Sequence, residues 1–264
     1  MTLSEWRRQK LPSLREVVFA PPSRQDVTVL IYHFWDTAES SRRFEEVELS
    51  LLQTWRWCGK LPVKIITNDV CPAMRTFADR WGGVTPVVSP RLCPGDINSM
   101  SLDLAGHLSE YFDTDYVLIV QNDGFPLRAG LDEFVGPYSY CGPSYVREKK
   151  IQPWIDKLIP YSNGNGGFCL RRRNICVEAN RLWRKWCWLI KDTRWMIDDG
   201  YYCITSRILS GKYRKMMRFP SHKEACRFGY DQLIGVPVPQ ALPFGFHGAH
   251  SFEALMEKFG SEIL

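Results

Sequence analysis

The sequence predicts an α/β fold: one domain with a mostly parallel, twisted sheet flanked by helices, and an irregular C-terminal half. Two observations carry that expectation. Short, almost unbroken apolar runs alternate with helically spaced segments in the order β-α-β-α-β-α-β over residues 27–120, and such alternation builds a parallel sheet through right-handed crossovers. The runs are apolar throughout rather than every second residue, as expected of strands covered on both faces.

Taken in order, residues 1–26 form an N-terminal arm that closes on Pro21-Pro22, with only a weak amphipathic pattern over its first part. Residues 27–34 (VTVLIYHF) are a buried strand. Residues 40–57 are helical, with Phe44, Val47, Leu51, Leu52 and Trp55 near three- and four-residue spacing, and Gly59 ends them. Residues 63–67 (VKIIT) are the second strand and stop at Asn68-Asp69. Cys71-Pro72 opens a helix to Trp81, Gly82-Gly83 breaks it, and 84–88 is the third strand. A helix over 97–112 leads into 116–120 (YVLIV), which stops abruptly at Gln121-Asn122-Asp123 before Gly124. Residues 27–127 are the expected ligand-binding half and 128–264 the half that completes the site.

The second half is less regular. It predicts a short strand at 138–141, helices at 151–159 and 175–190, and a glycine turn at 164–167 running into a strand at 168–170. Asp198-Asp199 open another helical segment reaching 209; a loop-rich stretch and a last amphipathic helix to 259 follow. No second core is evident, so these elements are expected to complete the same sheet.

Composition narrows the classes. At 264 residues, 45% hydrophobic and 24% charged, the chain is ordinary for a globular domain. It has no apolar run long enough to span a bilayer and no apolar leader, so a cytoplasmic protein, at most peripheral to the membrane, is expected. Nine scattered cysteines, with no CxxC, read as reduced thiols. The net charge of +5 is uneven: residues 171–227 hold 15 Lys and Arg against 5 Asp and Glu, a net +10, which leaves −5 for the remainder. A segment this basic fits an anionic partner or a solvated face. Trp183, Trp186, Trp188 and Trp195, set among its cations, read either as core or as a membrane-interface contact.

Four groups of residues stand where chemistry could occur. In an open α/β sheet, ligands sit beyond the carboxyl ends of the strands. The polar stops Asn68-Asp69 and Gln121-Asn122-Asp123 occupy that place, as ligand contacts or as turn caps. Gly166 and Gly167 would let a ligand approach the backbone, or simply make a hairpin. Asp198 and Asp199 suit a helix N-terminus, and one of the two is a candidate general base. His247 and His250 lie in a Gly-rich loop; either, with Asp123, would offer a hard cation one oxygen and one nitrogen, compatible with Mn²⁺ or Mg²⁺ carried chiefly by substrate phosphates.

The ordered stretches VLIVQNDGFPL, GNGGFCLRRR, IDDGYY, PSHKEACRFGYD and PFGFHG resemble the GT-A glycosyltransferase plan. They are most similar to a glycosyltransferase-like family registered as domain of unknown function 5672. The resemblance implies a nucleotide-sugar-dependent transferase, by family habit using a UDP-sugar, with an inverting displacement at an acceptor hydroxyl. Asp123 matches the last acid of an Asp-x-Asp metal motif whose first acid is here Gln121, which implies a more weakly held cation. Gly166 and Gly167 match the turn lining the donor and acceptor pocket, and with Asn68, Asp69, Gln121, Asn122 and Asp123 they make up the expected nucleotide-sugar contacts. Asp199, beside Asp198, matches the general base; His247 or His250 matches a late metal ligand. The expected acceptor is a surface-polysaccharide or lipid-linked glycan. The alternatives are a nucleic-acid acceptor, or a non-catalytic scaffold that binds a sugar nucleotide or glycan.

Overall fold

The computed structural model describes residues 1–22, 24–144, 164–190, 198–232 and 236–263. Among these, six strands form one sheet in the order β3-β2-β1-β4-β6-β5. The strands β1 (Val27–His33), β2 (Val63–Thr67), β3 (Val84–Val88) and β4 (Tyr116–Val120) run parallel, with α2 (Thr37–Cys58), α3 (Pro72–Trp81) and α4 (Ile97–His107) as their crossovers. Then β6 (Cys169–Arg172) pairs antiparallel with β4, and β5 (Tyr140–Cys141) antiparallel with β6. The mixed sheet with helices on both faces is therefore as expected, and the second half adds strands to it rather than a separate core.

Two clusters of buried side chains pack the two faces. One gathers Val29, Ile31, Phe44, Trp55, Ile65, Phe77, Leu118 and Val120 with the C-terminal aromatics. The other gathers Leu30, Ile66, Leu104, Val117, Ile119, Ile175, Tyr201 and Tyr202. Alternate residues of β1 and β4 face opposite clusters, which is why these strands are apolar at every position.

Some elements are more regular than the sequence pattern indicates. The N-terminal arm holds helix α1 (Leu3–Leu14), started by a capping box between Thr2 and Glu5. Its Trp6 is fully buried against Phe125 and Phe252, with ring centroids 5.8 and 5.2 Å away. In the second half, α5 (Arg173–Ile190) follows β6, and the segment 198–209 is helical with a π turn at Tyr201–Thr205. Helices α7 (Gly211–Met216) and α8 (His222–Phe228) lie where irregular chain is expected; then come the short strands β7 (Gly229–Tyr230) and β8 (Gly245–Phe246), and finally α9 (Ala249–Ile263). For continuity the segment 198–209 is α6. The helix expected over 151–159 falls outside the described residues.

Part of the basic segment is engaged with the protein itself. Arg171 is buried, Arg181 and Lys212 both bind Glu178, Arg184 binds Glu110 and Arg227 binds Glu133. Trp183 packs edge-on against Tyr201, and Trp186 lies partly buried on the same core, whereas Trp188 is 66% exposed. Trp195 is outside the described residues. Among the described residues, no helix is long and apolar enough to cross a membrane.

Trp6→Ala should cost about 3–5 kcal/mol, the usual loss for truncating a buried large aromatic. Urea unfolding at equilibrium measures it; a loss near zero would mean that the N-terminal helix is dispensable to the core.

Candidate functional site

The site is assembled from three turns at the carboxyl edge of the parallel strands. The first is the stop after β4, where Gln121 and Gly124 exchange backbone hydrogen bonds of 2.9 and 3.1 Å. The second follows from register: Cys169 pairs with Ile119 and Leu170 with Leu118, so Gly167 falls opposite Gln121. The third is the late loop. Leu127 N–H donates to the Phe244 carbonyl at 2.7 Å, His247 N–H to the Tyr230 carbonyl at 3.0 Å and Gly248 N–H to the Asp123 carbonyl at 2.8 Å. These bonds seat the His247 backbone between β7 and the acidic turn.

Glycine is required where the turns touch. A Cβ on Gly167 would stand 2.1 Å from His247 Nε2, and one on Gly166 2.5 Å from an Asp198 carboxylate oxygen. A Cβ on Gly124 would meet the Phe246 carbonyl at 3.0 Å. The sequence motif therefore marks where the glycine backbone meets the His247 ring and the Asp198 carboxylate rather than an open hairpin.

At the junction, His247 Nε2 lies 3.1 Å from Gln121 Oε1 and 3.8 Å from Asp123 Oδ1. Its Nδ1 is 3.0 Å from Asp231 Oδ2, a carboxylate only 1% exposed, which also accepts from Asn165 Nδ2 at 2.9 Å. Burial by itself would lower the His247 pKa. The hydrogen bond to Asp231 and the charges of Asp123, Asp231 and Asp198 outweigh it and hold the imidazole above its ordinary value.

Asp198 and Asp199 have different surroundings. Asp198 is buried and ion-paired with Arg171 Nη2; the guanidinium lies over Tyr202 at 4.3 Å and Tyr140 at 5.1 Å, and its Nε contacts Cys169 Sγ at 3.2 Å. Asp199 is half-buried, and its Oδ1 accepts the Gly200 N–H at 2.6 Å.

Of the expected site residues, Gln121, Asp123, Gly166, Gly167, His247 and Asp198 are thus brought together. Asn122 lies in the same turn, but its amide donates to Glu46 at 2.7 Å. His250 is not brought to the junction: its side chain is 74% exposed and faces Glu253 on α9. Asn68 donates to the Trp35 carbonyl at 3.2 Å, and the Asp69 carbonyl accepts from Thr67 Oγ1 at 2.6 Å. Both stand just past the end of β2, where Asn68 reaches the Trp35 backbone.

Three participants escaped the sequence reading. Asp231 closes the stretch PSHKEACRFGYD, and its acid directly after an apolar residue was the available signal. Arg7 and Glu46 have no local signal, because each reaches the turn from a helix remote in sequence.

Among the described residues, no group of three or more His, Cys, Asp and Glu is arranged to hold a metal. Asp123, His247 Nε2 and the amide oxygen of Gln121 nevertheless face one another, and buried Asp231 orients the imidazole as outer carboxylates do for ligating histidines. Such a set offers a hard cation two oxygens and one nitrogen.

Residues 102–247 match the family described as protein of unknown function (DUF5672). The chain belongs to this family. The match takes in the acidic turn, the glycine turn and His247, its last residue, whereas Arg7 and Glu46 lie outside it. No curated protein matches the chain. Among solved structures, the fold is similar to that of the galactosyltransferase LgtC, solved with donor and acceptor sugar analogues: 14% identity, 89% of this chain and 95% of that one, TM-score 0.52. It is also similar to the apo form of the glycosyltransferase GlyE of Streptococcus pneumoniae TIGR4, at 12% identity and TM-score 0.50, over 84% of this chain and 54% of that one. This member of DUF5672 therefore has a GT-A glycosyltransferase fold.

In metal-free protein, His247 should titrate above the ordinary histidine value of about 6.5, and buried His33, whose pKa burial depresses, below it. The raised folded pKa means that protonated His247 contributes stability that is full below about pH 6.5 and is lost as pH rises through the folded value. Histidine NMR titration should show this midpoint falling in Asp231→Asn. Separately, Asp198→Ala should cost about 3–5 kcal/mol by leaving the Arg171 charge buried without its partner; a loss below 1 kcal/mol in urea unfolding would contradict the pairing.

Proposed function

We propose that the protein transfers a sugar from a nucleotide-sugar, by expectation a UDP-sugar, to an acceptor hydroxyl. One observation carries this reading: Asp123, Gln121 and His247 Nε2 meet at the carboxyl edge of the parallel strands, against glycine backbone. Such an edge is where α/β sheets bind nucleotides. Asn68 and Asp69, at the end of β2 near Trp35, would serve the nucleoside end of the donor.

Asp123 and His247 would hold Mn²⁺ or Mg²⁺, with the Gln121 amide as a neutral third ligand. Bound there, the cation would neutralise charge developing on the leaving diphosphate. A single carboxylate holds it less tightly than two, and protonated His247 must lose its proton to become a ligand. Metal affinity should therefore fall as pH drops through the His247 pKa.

The two adjacent acids divide their roles. Asp198, buried against Arg171, supports the Gly166 turn. Asp199, half-buried, is the candidate general base: it takes the acceptor proton while the hydroxyl attacks the anomeric carbon from the face opposite the diphosphate, inverting configuration. A lipid-linked or surface-polysaccharide acceptor is favoured over nucleic acid, because Trp188 and Leu189 at the end of α5 are exposed, while part of the basic segment is ion-paired within the protein. The competing reading, a sugar-nucleotide binder without turnover, rests on Gln121.

A panel of UDP-, GDP-, CDP- and dTDP-sugars in thermal-shift assays with and without Mn²⁺ should single out one donor. With that donor, slow diphosphate release should be measurable and should fall about 100-fold or more in Asp123→Asn. Asp199→Ala should abolish acceptor-dependent transfer while sparing the slow hydrolysis. Binding without release would favour the non-catalytic scaffold, and undiminished transfer by Asp199→Ala would reject the base.

A further inference from the structure

The acidic turn is held from outside the family match, by the N-terminal helix. Arg7 Nη2 donates to the Asn122 carbonyl, and Ser50 Oγ on α2 donates to the same oxygen at 3.2 Å. Glu46 Oε2 accepts the Asn122 amide at 2.7 Å, while its Oε1 lies 3.7 Å from Arg7 Nη1. Arg7, Glu46 and Ser50 thus close a ring around Asn122, occupying both its side chain and its carbonyl.

Asp123, the next residue, has its carbonyl held by Gly248 N–H at 2.8 Å. The turn is therefore clamped on one side by α1 and α2 and on the other by the histidine loop. Trp6, adjacent to Arg7, packs at once on Phe125 just after the turn and on Phe252 just after that loop. Phe125 and Phe246 pack edge-to-face at 4.8 Å, so the α1 contact spans both halves of the junction.

Arg7 is an unusual choice for helix packing alone. Its side chain is only 14% exposed, and its buried Nε has no hydrogen-bond partner. A buried guanidinium is costly unless its charge is answered. Glu46 and Asp123 provide that answer, and both favour its charged form against the desolvation that lowers its pKa.

We propose that Arg7 is a positioning residue of the nucleotide-sugar site: acting through Asn122, it sets where Asp123 stands opposite His247. One residue of helix α1 then bears on the site from outside the family match. The inference rests on the transferase reading above. Displacing reacting groups by about 1 Å can cost 100-fold in rate, so a residue that touches neither sugar nor nucleotide can govern turnover.

The test compares Arg7→Met and Arg7→Lys with Leu14→Ala, which removes buried packing from the same helix without touching Asn122. Two quantities are measured on the full chain, below the unfolding range of every variant. One is kcat and KM for diphosphate release from the donor identified by the panel. The other is binding of Mn²⁺ with that donor's nucleoside diphosphate, followed by the free Mn²⁺ resonance. Arg7→Met should lose about 10–100-fold in Mn²⁺–diphosphate affinity and in kcat/KM, the range typical of supporting residues behind a ligand. Arg7→Lys, which keeps the charge and one donor, should recover part of both, and Leu14→Ala should change neither by more than about twofold.

Wild-type values in Arg7→Met, or an equal loss in Leu14→Ala, would overturn the assignment while leaving the transferase standing. If wild-type protein binds no nucleoside diphosphate and releases none from any donor, the transferase reading fails first and the Arg7 role fails with it.

Discussion

The molecule is organised around the contact of three backbone turns at van der Waals distance. The acidic turn after β4, the glycine turn before β6 and the histidine loop after β8 meet where a single methyl group on Gly167 would overlap the His247 ring. A methyl group there would have to push the imidazole away from Gln121 and Asp123. The remaining structure can be understood as support for it. The antiparallel β4–β6 register delivers Gly167 opposite Gln121, and the Phe125, Phe246 and Phe252 cluster holds the third turn from beneath.

Bringing these turns together also concentrates charge in a partly dry place, and the protein answers each charge individually. His247 is flanked by buried Asp231 and by Asp123, Asp198 is matched by Arg171, and Arg7 by Glu46 and Asp123. Replacing the first acid of the motif by Gln121 fits the same pattern. Its neutral amide oxygen can face the imidazole at 3.1 Å without adding another negative charge to a junction where a diphosphate is proposed to bind. The consequence is a site that depends more on orientation than on a surplus of ligands, so the outer residues Asp231, Asn165 and Arg7 matter as much as those facing the substrate.

Much of the first half was legible before any coordinates. The strands at 63–67, 84–88 and 116–120 and the helix ending at Trp81 have the bounds that the apolar runs and glycine breaks indicate. Local signals suffice there because each element buries its own apolar face and stops at its own polar or glycine residue. The pattern was weaker for α1, whose amphipathic signal is diluted by Arg7, Arg8, Gln9 and Lys10, and for α7 and α8, which are too short to show a helical period. For the basic segment it could not show which charges are answered from afar, because the acids that pair with Arg184 and Arg227 are Glu110 and Glu133, 74 and 94 residues away.

What the sequence determined by itself was the α/β order, the family, and a short roster of polar residues at strand ends and glycine turns. The order and the roster follow from periodicity and composition, which act over a few residues, and the family from the resemblance of its ordered motifs. Only the tertiary structure decided which members of that roster meet. It chose His247 over His250, gave Asp198 to Arg171 while leaving Asp199 half-exposed, and added Asp231, Glu46 and Arg7. The reason is physical: hydrogen bonds and ion pairs depend on distance and direction across the folded chain, and Arg7 and Asn122 become neighbours only after the sheet has formed and α1 has docked.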